Sequence, residues 1–231
     1  QRQFLFDEAD ARDGTPKSAA AARRLAEINS SIRIEAEVAD ITAANIDELF
    51  EGASVILDAT DNFETRYLIN DYAVKNRVPW IYGGAVSSYG IAMPVIPGQT
   101  ACFACVYPQP PSGELETCET AGVLGAVTAV VAAWQCGIAI KILSGQQSAV
   151  EAKVTTFDVW RNSTRQIRQP AADPECPVCA RREFRHLDVH QCEIKRGFLG
   201  QHRERLGAGR DGAWNHAPRD QLLAEDAAAR D

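Results

Sequence analysis

The sequence lacks an excess of positive charge: its 24 Lys and Arg residues are outnumbered by 31 Asp and Glu residues, for a net charge of −7. A nucleic-acid partner is therefore disfavoured, because such partners select basic surfaces. The chain also lacks a recognisable signal peptide and any charge-free apolar run of about eighteen residues, so no membrane span is expected. The stretch 121–143 comes closest, but its glycines, Gln135 and Lys141 favour a buried helix.

The seven cysteines do not make an even set for disulfides, and four of them fall in two Cys-x-x-Cys pairs. Cys102 with Cys105 and Cys176 with Cys179 supply the four thiolates of a tetrahedral Zn²⁺ site. The gap between the pairs is too long for a zinc ribbon, so a shared metal would pin the C-terminal segment back onto the sheet. Metal-binding thiolates belong to a reducing compartment, which predicts a cytoplasmic protein.

A redox pair and free buried thiols are the other interpretations of these cysteines. A redox Cys-x-x-Cys usually opens a helix that follows a strand. Neither pair shows this pattern clearly, since Cys105 leads into the proline-rich stretch VYPQPPSG. A structural metal site is therefore the favoured prediction.

Residues 54–73, SVILDATDNFETRYLINDYA, combine three successive patterns. The apolar start predicts a buried parallel strand, and the later apolar residues at helical spacing predict a helix. The polar loop between them would lie at the carboxyl end of the strand, where open α/β sheets bind ligands. Its two carboxylates, Asp58 and Asp61, could hold Mg²⁺ beside a nucleotide. Alternatively, Thr60, Asp61 or Asn62 only caps the helix.

Periodicity elsewhere predicts the remaining elements of an α/β domain with a mixed sheet. They are a helix at 16–29, a strand at 32–39, a short helix at 43–50, strands at 78–85 and 90–96, a long helix within 121–143, and an antiparallel hairpin of 153–160 with 164–167. Pro94 predicts that its strand is an edge strand. Gly83 and Gly84 allow close approach of the backbone to a neighbour or ligand. Arg66 and Asn70, one helical turn apart, either brace a loop or face water.

Several motifs occur in one order along most of the chain, from residue 1 to Phe184: DATDNFETRYLIND, YGGAVSSYG, CFAC, ELETCETAGVLG and CPVC. Together they resemble the ThiF/MoeB/HesA family, which is related to the ubiquitin-activating enzymes. The resemblance implies a partial Rossmann-like, three-layer domain of the ThiF type. It further implies ATP-dependent adenylation of the C-terminal glycine of a ubiquitin-like sulfur-carrier protein, in a thiamine, molybdopterin or thiolation pathway. In this family the long apolar helix region contributes to a homodimer interface.

The resemblance assigns roles to residues that spacing alone would leave as solvated side chains or a helix cap. Gln1-Arg2-Gln3 resembles the end of the family's N-L-x-R-Q segment, where the arginine contacts ATP phosphates. Lys17 occupies the position of the family's phosphate-binding lysine, and Asp61 that of its Mg²⁺ residue, with Asp58 in support. The implied cofactors are ATP, Mg²⁺ and Zn²⁺. The implied nucleotide-site residues are Arg2, Gln3, Lys17, Asp58, Asp61 and Asn62, of which Arg2 and Asp61 are catalytic.

Cys118 lies just before the long apolar helix, and a thiol near a helix N-terminus ionises more readily. Some members of the family carry a conjugating or persulfide-relay cysteine in this crossover loop, which makes Cys118 a candidate catalytic residue. In other members the cysteine here is not required for activity. A small packed side chain is an equal interpretation of Cys118.

The family's first strand and glycine-rich nucleotide loop would precede residue 1, so the resemblance predicts that this chain alone binds ATP weakly and is inactive. Residues 1–180 would form the truncated adenylating domain. Residues 181–231, with sparse apolar residues and all four His, would form a divergent, disordered tail in which His186 is solvated. The competing functions are a catalytically inactive, zinc-stabilised binding module for the carrier and an NAD-dependent oxidoreductase, with a methyltransferase less favoured still.

Overall fold

A five-stranded sheet forms the centre of the fold, in the computed structural model that describes residues 5–110 and 120–188. The strands follow one another across the sheet in chain order: β1 (Ile56–Leu57), β2 (Trp80–Val86), β3 (Tyr89–Val95), β4 (Lys153–Asp158) and β5 (Ser163–Arg168). The pair β1–β2 is parallel, and the other three pairs are antiparallel. The predicted mixed sheet is therefore confirmed.

Six α-helices lie among the described residues: α1 (Glu8–Asp13), α2 (Lys17–Ile28), α3 (Ile46–Leu49), α4 (Phe63–Asn76), α5 (Phe103–Val106) and α6 (Gly125–Leu143). The sequence pattern predicts neither α1 nor α5. A capping box explains why α1 forms: the side chain of Asp7 accepts from the backbone N–H of Asp10, and the side chain of Asp10 accepts from that of Asp7. The helix ends at Gly14, whose left-handed conformation suits glycine.

Two buried clusters lie on opposite faces of the sheet. Met93 belongs to the cluster that packs against α4, whereas its neighbour Ala92 belongs to the cluster that packs against α6. Successive residues of a strand point to opposite faces, so α4 and α6 cover the two sides of the sheet. Phe103 lies at the centre of the first cluster and is fully buried. The result is the three-layer arrangement that the family resemblance implied.

The strand predicted at an edge because of Pro94 is central. β3 pairs with β2 along its whole length, and with β4 from Tyr89 to Ala92 only. Pro94 therefore lies beyond the ladder with β4, where the missing N–H of proline breaks no strand–strand hydrogen bond. The carbonyl oxygen of Pro94 instead accepts from the side chain of Gln169, at 2.7 Å.

Two other predicted elements differ from the structure. Residues 32–39 form no strand, although their apolar and charged residues alternate. A strand needs a neighbour for its backbone groups, and in the described part of the chain β1 pairs with β2 alone. The short helix predicted at 43–50 is only four residues long, Ile46–Leu49.

The long apolar helix α6 is not buried all round. Its buried residues are Val127, Val131, Gln135 and Ala139, which form one stripe against the sheet. On its other sides Ile140 is 65% exposed and Leu143 is 61% exposed. By length and composition α6 could cross a membrane, and 28% of its 18-residue apolar stretch is buried in the fold. The structure thus corrects the expectation of a fully buried helix.

The segment after the last cysteine pair packs against α4. Phe184 and Leu187 contact the larger buried cluster. The ring of His186 stacks on Tyr67 with centroids 5.2 Å apart, and its Nδ1 lies 3.1 Å from the buried Oδ2 of Asp71. The expectation that His186 is solvated is therefore wrong. The described residues all belong to a compact unit, Gln1–Cys192, and the domain boundary after residue 180 stays a prediction.

Candidate active site and metal centre

The polar loop 58–62 lies at the carboxyl end of β1 and leads directly into α4. Asn62 is the N-cap of this helix, since its side-chain oxygen accepts from the backbone N–H of Thr65 at 2.8 Å. The structure therefore selects Asn62 from the three capping candidates. Asp61 is exposed, and its carboxylate makes no side-chain hydrogen bond or ion pair with another described residue. Its carboxylate faces solvent at the edge of the sheet where a ligand can reach it.

Asp58 differs from Asp61 in pointing inward. Its side chain is completely buried, and its Oδ1 accepts from the backbone N–H of Thr60 at 2.7 Å. Oδ2 lies 3.5 Å from Nε of Arg66, and burial raises the pKa of the Asp58 carboxyl. Asp58 therefore stabilises the loop from its buried side.

Arg66 braces this loop from α4. Its guanidinium donates to the carbonyl oxygen of Thr60 at 2.6 Å. The same group lies between two rings, 5.2 Å from the centroid of Phe63 and 5.1 Å from that of Tyr82. Of the two interpretations that the sequence left open for Arg66, loop bracing is confirmed. Asn70, one turn later, accepts from the backbone N–H of Phe103 at 2.8 Å, so it is structural too.

Sequence reasoning missed one residue of this region, Gln135. From the buried stripe of α6, its Nε2 donates to the carbonyl oxygens of Asp58 and Ile81, at 2.7 and 2.8 Å. Gly83 makes room for it, because a Cβ at Gly83 would lie 2.5 Å from that nitrogen. The available signal was a single amide within an otherwise apolar helix, since such an amide must find hydrogen-bond partners when buried.

Lys17 is the first residue of α2 and is exposed. The first turn of α2 contains no acidic residue that would neutralise it. Arg2, Gln3 and Cys118 lie outside the described residues, so their assigned roles stay predictions. The roles predicted for Lys17, Asp58, Asp61 and Asn62 also stay predictions.

The four cysteines of the two Cys-x-x-Cys pairs come together in one cluster, with all sulfur atoms within 4.8 Å of one another. Neighbouring sulfurs are 3.7 Å apart for Cys102 and Cys105, 3.6 Å for Cys102 and Cys176, and 3.4 Å for Cys105 and Cys179. Tetrahedral Zn–S bonds of about 2.3 Å place sulfurs about 3.8 Å apart. The donor set and its spacing therefore fit a four-thiolate metal site.

Electrostatics within the cluster also fit a cation. Burial and the neighbouring thiol groups raise the pKa of Cys102, and burial together with hydrogen bonds that the Cys179 thiol donates to Cys105 and Cys176 raises the pKa of Cys179 to about 12. Burial opposes ionisation of Cys176 as well, but the backbone N–H groups of Cys179 and Val178 lower its pKa overall. Four adjacent thiols ionise together only when a cation compensates their charge.

The local structure corrects one argument used against a redox pair. Cys102 directly precedes the short helix α5, so this pair does open a helix. The tertiary contact with Cys176 and Cys179 nevertheless gives all four sulfurs a common centre, which a single redox pair does not need. Among the described residues this is also the single group of His, Cys, Asp and Glu side chains found able to hold a metal ion.

Sequence comparison finds relatives that are named as adenylyltransferases or activating enzymes. The chain is 42% identical over 188 residues to the sulfur carrier protein ThiS adenylyltransferase of Bacillus subtilis, covering 81% of this chain and 55% of that protein. It is 32% identical over 180 residues to the SAMP-activating enzyme E1 of Haloferax volcanii, covering 78% and 65%. The chain thus spans roughly half to two thirds of the length of these relatives.

Solved structures show a similar fold. E. coli MccB superposes with a TM-score of 0.64 at 22% identity, over 77% of this chain and 53% of that one. A structure of E. coli MccB with ATP gives a TM-score of 0.62 at 21% identity, over 77% and 54%. The sequence profile of the ThiF family matches residues 1–178. With the sheet, the loop after β1 and the cysteine cluster in the expected places, the chain belongs to the ThiF family.

Proposed function

We propose that this protein is an ATP-dependent adenylyltransferase that activates the C-terminal glycine of a ubiquitin-like sulfur-carrier protein. The observation that carries the proposal is the loop 58–62, which presents the exposed Asp61 at the carboxyl end of β1 on a braced backbone. Relatives of this chain include adenylyltransferases named for sulfur carriers. Thiamine, molybdopterin and thiolation pathways all fit this function.

In the proposed reaction, a carboxylate oxygen of the carrier's terminal glycine attacks the α-phosphorus of ATP, and pyrophosphate leaves. Arg2 and Lys17 bind the phosphates, Asp61 binds the Mg²⁺, and Asp58 holds the loop. When bound, Mg²⁺ neutralises charge on the phosphate oxygens. Catalysis then comes from positioning and charge neutralisation, since the nucleophile belongs to the carrier and no protein group has to form a covalent bond.

We further propose that the cysteine cluster binds structural Zn²⁺ through Cys102, Cys105, Cys176 and Cys179. All four ligands come from the protein, which leaves no open coordination position for substrate. The two pairs come from distant parts of the chain, so the metal would link the segment after β5 to the α5 region. This role requires no chemistry from the metal.

Pyrophosphate exchange tests the main proposal. The complete gene product is mixed with ATP, Mg²⁺, radiolabelled pyrophosphate and a sulfur carrier that ends in Gly-Gly. We expect label to enter ATP only when the carrier is present and its terminal carboxylate is free. A carrier with an amidated terminus is the matched control. Carrier binding without exchange would favour the inactive binding module, and hydride transfer to NAD would favour the oxidoreductase.

The exposed apolar sides of α6 support a second proposal, a homodimer that buries them. Large exposed side chains concentrate on this helix, including Val130, Trp134, Ile140 and Leu143. Val130 and Trp134 also line a groove of about 420 Å³ between α6 and the hairpin β4–β5. Its other lining residues include the apolar Ile138 and Val150 and the charged Lys141, Glu151 and Lys153. Contiguous apolar surface of this kind marks an interaction site in soluble proteins.

Replacing Ile140 with aspartate should convert this dimer to a monomer. Ile140 is 65% exposed, so the charge costs little in the free chain but would be buried at the interface. Ile167 on β5 is 60% exposed, which makes Ile167→Asp the matched control. Sedimentation analysis should show a mass near one chain for Ile140→Asp and near two for Ile167→Asp. A wild-type monomer, or equal behaviour of the two variants, contradicts the proposal.

A further inference from the structure

A side chain from α6 joins the carboxyl end of β1 to Ile81, the second residue of β2. Both amide hydrogens of Gln135 point into the sheet, one to the carbonyl oxygen of Asp58 at 2.7 Å and one to that of Ile81 at 2.8 Å. The backbone N–H of Asp58 also donates to Ile81, at 3.0 Å. Gln135 therefore ties the first residue of the loop to the neighbouring strand.

The residues on both sides of this contact, Gln135 and Gly83, are suited to it. Gln135 is only 5% exposed, so its amide could not be buried without partners. Strand β2 has Gly83 at the point of contact, where a Cβ would lie 2.5 Å from Nε2 and 2.7 Å from the amide carbon of Gln135. Space and hydrogen bonds are thus matched to one particular side chain.

The strand that carries the loop has few other contacts to hold it. β1 is two residues long, and its register with β2 consists of Ile56 with Trp80 and Leu57 with Ile81. Beyond Leu57 the loop is held by Gln135 at the carbonyl oxygen of Asp58, by Arg66 at that of Thr60, and by the Asp58 carboxylate at the backbone N–H of Thr60. Asp61 directly follows this bonded stretch of backbone, so its direction depends on these contacts.

We infer that Gln135 is a positioning residue of the adenylating site, which orients Asp61 through the backbone of Asp58. The inference rests on the proposed function, because Asp61 matters only if the loop serves the reaction. Gln135 itself touches no substrate. It acts by holding the loop in one arrangement, and displacement of a reacting group by about 1 Å can cost about 100-fold in rate.

Gln135→Met removes both hydrogen bonds with little change of side-chain volume. Gln169→Met is the matched control, because Gln169 is equally buried and its amide donates to the strand carbonyl of Pro94 at 2.7 Å, away from the loop. In pyrophosphate exchange on the complete gene product we expect Gln135→Met to lower kcat by about 10- to 100-fold while KM for the carrier stays unchanged. Gln169→Met should keep kcat within about twofold.

Backbone hydrogen exchange of this chain provides a measurement that does not depend on activity. The peptide covering 58–62 should exchange faster in Gln135→Met than in wild type, and at the wild-type rate in Gln169→Met. Equal exchange of that peptide in all three proteins overturns the inference, as does an unchanged kcat in Gln135→Met. A wild-type protein without pyrophosphate exchange overturns the proposed function instead, and the hydrogen-exchange comparison still decides the role of Gln135 in the loop.

Discussion

Replacing Asp61 with asparagine should lower ATP–pyrophosphate exchange by about 10²–10³-fold without unfolding the protein. Asp61 is exposed and leaves the cap of α4 to Asn62, so the fold does not depend on its charge. The Asp61 carboxylate would bind Mg²⁺, which prefers carboxylate oxygens and is held weakly by an amide. Raising the Mg²⁺ concentration should therefore restore part of the lost rate.

Glu64 offers a matched control for this variant. It is an exposed carboxylate in the first turn of α4, three positions from Asp61. Glu64→Gln should keep the wild-type rate, which separates a specific site from a general effect of negative charge near the helix.

Lys17→Ala should lower the rate of pyrophosphate exchange by a factor similar to that of Asp61→Asn. Lys75, an exposed lysine of α4, provides the matched control Lys75→Ala. Near-normal exchange in both Asp61→Asn and Lys17→Ala would show that the site is assigned wrongly.

Replacing Cys102 with serine should remove the metal and destabilise the protein by several kcal/mol. Metal affinity of a thiolate site appears directly as folding stability, because the unfolded chain has no assembled site. Cys102 is almost completely buried and contacts both Cys105 and Cys176, so its loss removes one of the two sulfur contacts between the pairs and leaves only three thiolates for the metal. We expect elemental analysis to fall from one zinc per chain to none, and the thermal midpoint to fall with it.

The destabilisation caused by Cys102→Ser should be strongest in the segment that follows β5. Phe184 and Leu187 contact the buried cluster, and the backbone N–H of His186 donates to the buried Oδ2 of Asp71 at 2.9 Å. Without the metal this segment should become sensitive to proteolysis before the sheet does. Cys136→Ser is the control, since Cys136 is an exposed residue of α6 outside the cluster. Well under one zinc in the wild-type chain, after loosely bound ions are removed, would exclude the zinc site.

Local patterns in the sequence were sufficient for several elements. The strand, loop and helix at residues 54–73 could be predicted because an apolar run, a polar break and apolar residues at helical spacing follow one another there. The strand is shorter and less buried than the apolar run predicted, since it comprises only Ile56 and Leu57 and Leu57 is 43% exposed. The two Cys-x-x-Cys pairs predicted the cluster, since the chemistry of four thiolates is specific even when their distance in space is unknown. Gly83 was predicted to allow close approach, and Gln135 is the neighbour that uses the space.

Tertiary structure decided the features that depend on which elements become neighbours. Pro94 lies in a central strand because the ladder with β4 ends before it, and residues 32–39 form no strand because no described strand pairs with them. The hydrogen bond between Gln135 and Asp58 joins residues 77 positions apart, and that between His186 and Asp71 joins residues 115 positions apart. Periodicity reports only how a segment alternates between inside and outside. Which backbone or side-chain group will lie opposite it is settled by the packing of the whole sheet, and that is why the residues supporting the loop were visible only in three dimensions.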